Sequence, residues 1–317
     1  MSSVLLILPD FMIILLGYLL RQFLKNSFFN EGFWKGTEKL VFYVLFPPML
    51  FTSVANAKLS LAEAGTFLSV GIAAMMGGVL FSYALRFFIK GDGVTHASAF
   101  HCGFRFNTYI GFAIVSRLYG QEGLALMSLL IAFWVPISNS IAVAALASAV
   151  AKKEQTANEG GVLMKTLKSI FTNPLIIATS AGLVVNISGL AMPEVVMHFF
   201  KSLGNASLAM GLLCIGAGLK IQGLVSQWPL ITGNTIERLF VLPAFALVMC
   251  LVFNLPTVAA GALMCFAMLP TAQSCYVMTA AMRGDAPLVA GITTAHTLTA
   301  IVSIPFWIEV ITKYVPL

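Results

Sequence analysis

Charge is what this sequence has least of. Only 9% of its 317 residues are charged and 59% are hydrophobic, whereas soluble domains carry roughly 25% charged residues. With a mean hydropathy of +0.94, a soluble domain is excluded and a polytopic membrane protein is left. Cysteine is scarce and odd in number. Cys102, Cys214, Cys250, Cys265 and Cys275 lie in apolar runs without the spacing of a metal site, and read as small apolar fillers. No metal or cofactor is expected. The chain also lacks His-Glu-x-x-His, Gly-x-Ser-x-Gly and paired intramembrane Gly-Asp motifs, and its Gly91-Asp92 and Gly284-Asp285 stand at loop edges. Intramembrane enzymes need such water-activating groups, so no catalysis is expected. No basic residue precedes the first apolar run and Arg21 follows it, unlike a secretory leader, so that run is expected to stay as a span. The formal charge of +6 is read through its placement along the chain, not as a sign of nucleic-acid binding.

Hydrophobic length is what the chain has instead. Ten apolar runs lie near 4–24, 38–55, 65–89, 96–119, 122–150, 171–190, 195–219, 229–254, 257–282 and 287–312. Each is about 20 residues, the length a helix rising ~1.5 Å per residue needs to cross a ~30 Å hydrocarbon core. The expected fold is an all-α polytopic membrane protein with ten transmembrane helices. The longest polar interruption, 151–168, separates five runs from five. Loops after the odd-numbered runs hold twelve Lys and Arg residues, while the opposite side holds only Lys58, Arg117, Lys201 and Lys313. The positive-inside rule then places both termini outside and 151–168 in the cytoplasm.

The two halves repeat. Pro9 is followed by Gly17 and Pro174 by Gly182, an offset of 165 residues. Leu118-Tyr119-Gly120-Gln121-Glu122-Gly123-Leu124 aligns with Met282-Arg283-Gly284-Asp285-Ala286-Pro287-Leu288 at an offset of 164. Five spans is an odd number, so the second copy lies upside down relative to the first. The organisation expected is a five-helix repeat over 1–150, a cytoplasmic linker over 151–168 and an inverted five-helix repeat over 169–317.

One run is too polar at its centre. Residues 96–119 carry Arg105, Asn107 and Thr108 in the middle, where desolvating them is costly. The run is either a helix broken at mid-membrane and turned towards a substrate, or a polar helix buried in a bundle. The repeat supplies a partner: 164 residues after Asn107 comes Thr271, within Met268-Leu269-Pro270-Thr271-Ala272-Gln273-Ser274-Cys275. Pro270 breaks or kinks that span too. Brought side by side, the second half-helices start at Thr108 and Thr271 with N–H groups and positive dipole ends facing the site. Arg105 adds a fork of donors suited to a carboxylate, unless it pairs with a buried acid or a carbonyl instead. Asn107, Thr108, Gln273 and Ser274 add neutral hydrogen bonds, so a small organic anion fits better than a cation or a sugar.

Other polar residues within the runs have two readings each. Asp10 and His101 are candidates for coupling an ion or a proton, and each has a structural alternative. Asn139, after Trp134-Val135-Pro136, is a candidate to face the same cavity. Pro47-Pro48 is expected to bend the second span and act in gating. Glu237-Arg238 is expected to belong to a pairing network, and His296 to helix packing.

The two broken spans, Phe104-Arg105-Phe106-Asn107-Thr108-Tyr109-Ile110-Gly111 and Leu269-Pro270-Thr271-Ala272 followed by Gly284-Asp285-Ala286, resemble the signatures of bacterial members of the auxin efflux carrier family. Leu45-Phe46-Pro47-Pro48-Met49-Leu50-Phe51 resembles that family's proline-bearing second span, and the similarity covers essentially the whole chain. The resemblance implies a ten-span fold of 5+5 inverted repeats with two broken, crossing helices, shared with plant PIN carriers and more distantly with bile-acid sodium symporters. It also implies a scaffold, an elevator-like transporting part, and a substrate such as auxin or a small carboxylate. Asn107 and Pro270 would be the crossover residues, Asn139 would line the cavity, and Tyr109 falls inside the first signature. Thr271 stands where an asparagine would make the second crossing match the first, and 151–168 is far shorter than the hydrophilic loop of the larger plant carriers.

The function expected is secondary transport of a small organic anion, a carboxylate, at the crossing of the fourth and ninth helices of a bacterial inner-membrane protein. A sodium-coupled symporter of a larger organic anion is the alternative; a channel or receptor is a third. Coupling to Na+, to H+ or to neither stays open, as does a homodimer. The lipid bilayer is the one partner composition demands.

Overall fold

A bilayer core has no water to satisfy spare backbone groups, so apolar runs of this length become helices. The computed structural model describes residues 3–24, 28–56, 61–154, 174–190, 192–219 and 227–314, and all of its regular structure is helical. The first helices are α1 (Ser3–Phe23), α2 (Glu31–Ala55), α3 (Leu61–Phe88) and α4 (Gly93–Phe100). The stretch Thr108–Glu154 turns at Gly120, where φ is 57°, and is therefore two helices, α5 (108–119) and α6 (121–154). Then come α7 (Pro174–Ser188), α8 (Glu194–Gly218) and α9 (Trp228–Val252). The last are α10 (Thr257–Ala267), α11 (Ser274–Ala281) and α12 (Ala286–Tyr314). Among the described residues, six helical stretches are long and apolar enough to cross a membrane: α2, most of α3, the α5–α6 stretch, α8, α9 and α12. Of the linker 151–168, residues 155–168 lie outside the described residues, and 151–154 finish α6.

Helix α2 begins seven residues ahead of the apolar run expected at 38. Asn30 is the reason: its Oδ1 accepts from Phe33 N–H at 2.9 Å, and Glu31 pairs with Lys35 one turn on at 2.8 Å. A capped, ion-paired first turn extends the helix beyond its hydrophobic part. The same helix passes through Pro47-Pro48 without breaking. Two prolines remove two N–H donors, and a wider turn at Val41–Leu45, closed by Phe46 N–H to Val41 O, absorbs the mismatch. An equivalent wide turn at Glu237–Val241 precedes Pro243 in α9.

The helices pack in two groups. In one, α1 lies along α8 and α2 along α7 and α8. A Cβ on Gly17 would run into the Leu213 backbone and one on Gly216 into Ile14 O, so α1 and α8 touch backbone to backbone, as glycine alone permits. In the other, α10 packs on the α5–α6 stretch and α3 on α9, while α12 meets α9, α11 and α4. Each group draws helices from both halves of the chain.

Candidate functional site

Two interruptions meet where the groups face each other. Helix α4 ends at Phe100, residues 101–104 turn, and 105–107 are irregular up to α5; likewise α10 ends at Ala267, and 268–273 lead to α11. Irregular backbone in a low-dielectric interior must find partners, and the breaks supply one to each other: Asn107 N–H donates to Pro270 O at 2.8 Å. Asn107 is 2% exposed. Its Oδ1 accepts from Tyr109 N–H at 3.1 Å and Ile110 N–H at 3.4 Å, and its carbonyl from Gly111 N–H at 3.1 Å. Asn107 is thus the N-cap of α5, and much of the donor capacity expected to face a substrate there is satisfied by the chain itself.

The second half-helix restarts at Ser274, three residues later than Thr271. Thr271 is buried and turned to the far side, its N–H donating to His296 Nδ1 at 3.4 Å and its hydroxyl 3.2 Å from Cys275 Sγ. Pro270 contributes only its carbonyl. Arg105 Nη2 donates to Ser274 Oγ at 3.0 Å, and Nη1 lies 3.5 Å from Met278 Sδ. No carboxylate pairs with Arg105 among the described residues.

A cavity of about 530 Å³ opens beside the breaks, a volume suited to a small organic molecule. Thr108, Gln273 and Ser274 line it from the breaks, and Lys35, Glu38 and Lys39 from α2. Phe46 and Tyr109, stacked at 5.0 Å between ring centres, form part of its apolar wall. Gln273 is anchored by donating to Ile215 O at 3.0 Å. The lining therefore combines apolar side chains with hydroxyls, amides, two lysine ammoniums and the Glu38 carboxylate, and the two ammoniums outnumber the one carboxylate, a balance that can hold an amphiphilic anion. Asn107 also borders it, whereas Arg105, Asn139, Pro270 and Thr271 do not. Asn139 is half-buried on α6.

The lysines were missed in the sequence because Lys35 precedes the apolar run and Lys39 stands at its very start, so both read there as loop charges. The Asn30 cap followed by Glu31 and Lys35 is the signal that could have placed them on a helix.

The remaining candidates have structural partners. Asp10 Oδ1 pairs with Arg117 Nη2 at 2.9 Å, joining α1 to α5. His101 Nε2 is 2.9 Å from Thr279 Oγ1. Pro47 and Pro48 lie in α2 next to Phe46, away from the cavity lining. The Gly-Asp aspartates are helix caps: Thr95 N–H donates to Asp92 Oδ1 at 2.7 Å, and Leu288 N–H to Asp285 Oδ1 at 3.1 Å.

No curated protein matches the chain. The family described as membrane transport protein matches residues 2–308, nearly the full length. A polytopic apolar helix set with two helices broken beside a cavity is consistent with that match, and the chain belongs to this membrane transport family, that of the auxin efflux carriers.

Proposed function

We propose that the chain is a secondary carrier for a small organic anion, a carboxylate, bound where the two interruptions meet. The observation that carries this reading is the Asn107–Pro270 contact beside a cavity of about 530 Å³ whose lining includes Thr108, Ser274, Lys35 and Lys39. Hydroxyls and ammoniums in the lining suit a carboxylate head, and its aromatic side chains suit an organic body. Arg105 acts through Ser274, fixing its hydroxyl, with the substrate contact made by Ser274.

The ten-span, 5+5 inverted-repeat plan, with repeats at 1–150 and 169–317, is part of the same proposal. It is supported by the offset of 164 to 165 residues between the halves. An elevator-type movement of the group carrying both breaks against the group of α1, α2, α7 and α8 is supported by the cavity's lining, which comes from α2 and α7 on one side and from the breaks on the other. The excess of basic residues in the odd loops supports a cytoplasmic-membrane location with both termini outside. Uptake of dicarboxylates and aromatic acids by proteoliposomes, with sodium and pH gradients imposed separately, tests the substrate class. Uptake no greater than in protein-free vesicles across that panel overturns it.

A further inference from the structure

Buried polar atoms without partners gather at one place, where α9 passes the C-terminal end of α4. Glu237 is 3% exposed and Asn234 is fully buried. Glu237 Oε1, Glu237 Oε2 and Asn234 Oδ1 have no hydrogen-bond partner among the described residues. A buried carboxylate with both oxygens unmet is costly, so such a group calls for a missing partner, either water or an ion.

Two of the nearby donors are committed elsewhere, whereas Arg238 Nε and Nη1 have no hydrogen-bond partner among the described residues. Asn234 Nδ2 donates to Ala99 O at 3.1 Å, which turns its Oδ1 away from that carbonyl. Ser82 Oγ donates to Phe100 O at 2.8 Å, so only its lone pairs remain. A Cβ built on Gly103 would overlap both Glu237 Oε2 and Ser82 Oγ, so these two oxygens converge on the bare Cα of Gly103. Arg238 attracts its neighbour electrostatically but makes no bond to it. Its Nη2 donates to Phe266 O at 3.4 Å, and no ion pair joins it to Glu237 among the described residues.

We propose that Glu237, Asn234 and Ser82 bind a sodium ion between α3, α4 and α9. Oxygen lone pairs without protons are what a hard cation requires. A single carboxylate suits a monovalent ion, and the adjacent Arg238 guanidinium counts further against a divalent one. The carbonyl end of α4 adds a negative dipole. The ion would lie against residue 103, two positions before Arg105, so its occupancy is felt at the first interruption. The site does not depend on which substrate the cavity takes.

The test is thermal unfolding of the purified full-length protein in detergent, titrated with sodium chloride against choline chloride at matched ionic strength. Ligand that binds only the folded state raises the midpoint. The expected result is a saturable rise with sodium and none with choline, lost in Glu237→Gln. Asn234→Ala should raise the half-saturating sodium concentration about tenfold or more. Equal midpoints in the two salts for the wild type would mean water alone fills the site and would overturn the proposal, as would a full sodium response in Glu237→Gln. If Glu237→Gln does not fold, Asn234→Ala decides, and an unchanged half-saturation overturns it. Because the readout is binding, the result is separable from any result on substrate transport.

Discussion

The backbone N–H of Asn107 donates to the carbonyl of Pro270 across 2.8 Å, joining two helices at the points where each is interrupted. Neither group could make this bond inside a continuous helix. The amide of Asn107 is free because the turn at 101–104 has ended α4, and the Pro270 carbonyl is free because α11 starts only at Ser274. The breaks therefore complete each other's backbone bonding, and Asn107 borders the cavity beside them.

Asn107→Ala keeps that backbone bond and removes the cap on Tyr109 and Ile110. Stability should fall by about 1 kcal/mol, the usual cost of losing an N-cap, and substrate uptake by about tenfold or more. Asn107→Asp retains an acceptor and should recover most of the stability while placing a repelling charge beside an anion site. Thermal unfolding and uptake, measured on the same preparations, separate the two effects.

Lys39 is exposed and borders the cavity, as Ser274 does. Reversing its charge in Lys39→Glu should raise KM for an anionic substrate by about tenfold, roughly the 1.4 kcal/mol that corresponds to one decade, with little change in stability. Initial-rate uptake at two ionic strengths checks this, because the difference should shrink as salt screens the charge.

Arg105→Lys replaces a fork that reaches Ser274 and Met278 at once with a single ammonium. The variant should fold, since Arg105 carries no ion pair among the described residues, and should show a raised KM with kcat less affected. Ser274→Ala should give the same KM change, and combining the two should add little, because the guanidinium acts through that hydroxyl.

Gly216→Val sets a branched side chain against the Ile14 carbonyl. Backbone cannot yield as a side-chain tip does, so α1 and α8 must separate, at a cost of at least about 2 kcal/mol. Reduced recovery of folded protein and a lower unfolding midpoint are the readouts.

Asp92 caps α4 outside the apolar spans. The Thr95 N–H donating to its carboxylate holds its pKa below the usual range, helped by Lys153 at 3.8 Å. A depressed carboxylate contributes stability that is present above the unfolded value of about 3.9 and lost as pH falls through the lower folded value. Asp92→Ala should therefore cost about 1 kcal/mol near neutral pH and progressively less below pH ~4, as measured by unfolding across pH.

How far the sequence could be read depended on locality. Arg105, Asn107 and Pro270 stand out because a polar triplet or a proline at the centre of an apolar run has few physical explanations. The half-helix start at Ser274 was not legible, since Thr271 and Ser274 are equally good beginnings until His296 claims the Thr271 amide. The Asp10–Arg117 pair joins residues 107 apart, and no periodicity encodes such a contact. Lys35 and Lys39 were hidden by the opposite problem. Their local charge outweighed the cap at Asn30 that makes them helical.

Counterflow in proteoliposomes tests the central claim most directly. Vesicles loaded with unlabelled carboxylate should take up the same labelled carboxylate faster than empty ones, saturably, and Asn107→Ala should lose most of that stimulation. Uptake that is linear in concentration, indifferent to internal substrate and unchanged in folded Asn107→Ala would contradict a carrier built on the joined interruptions.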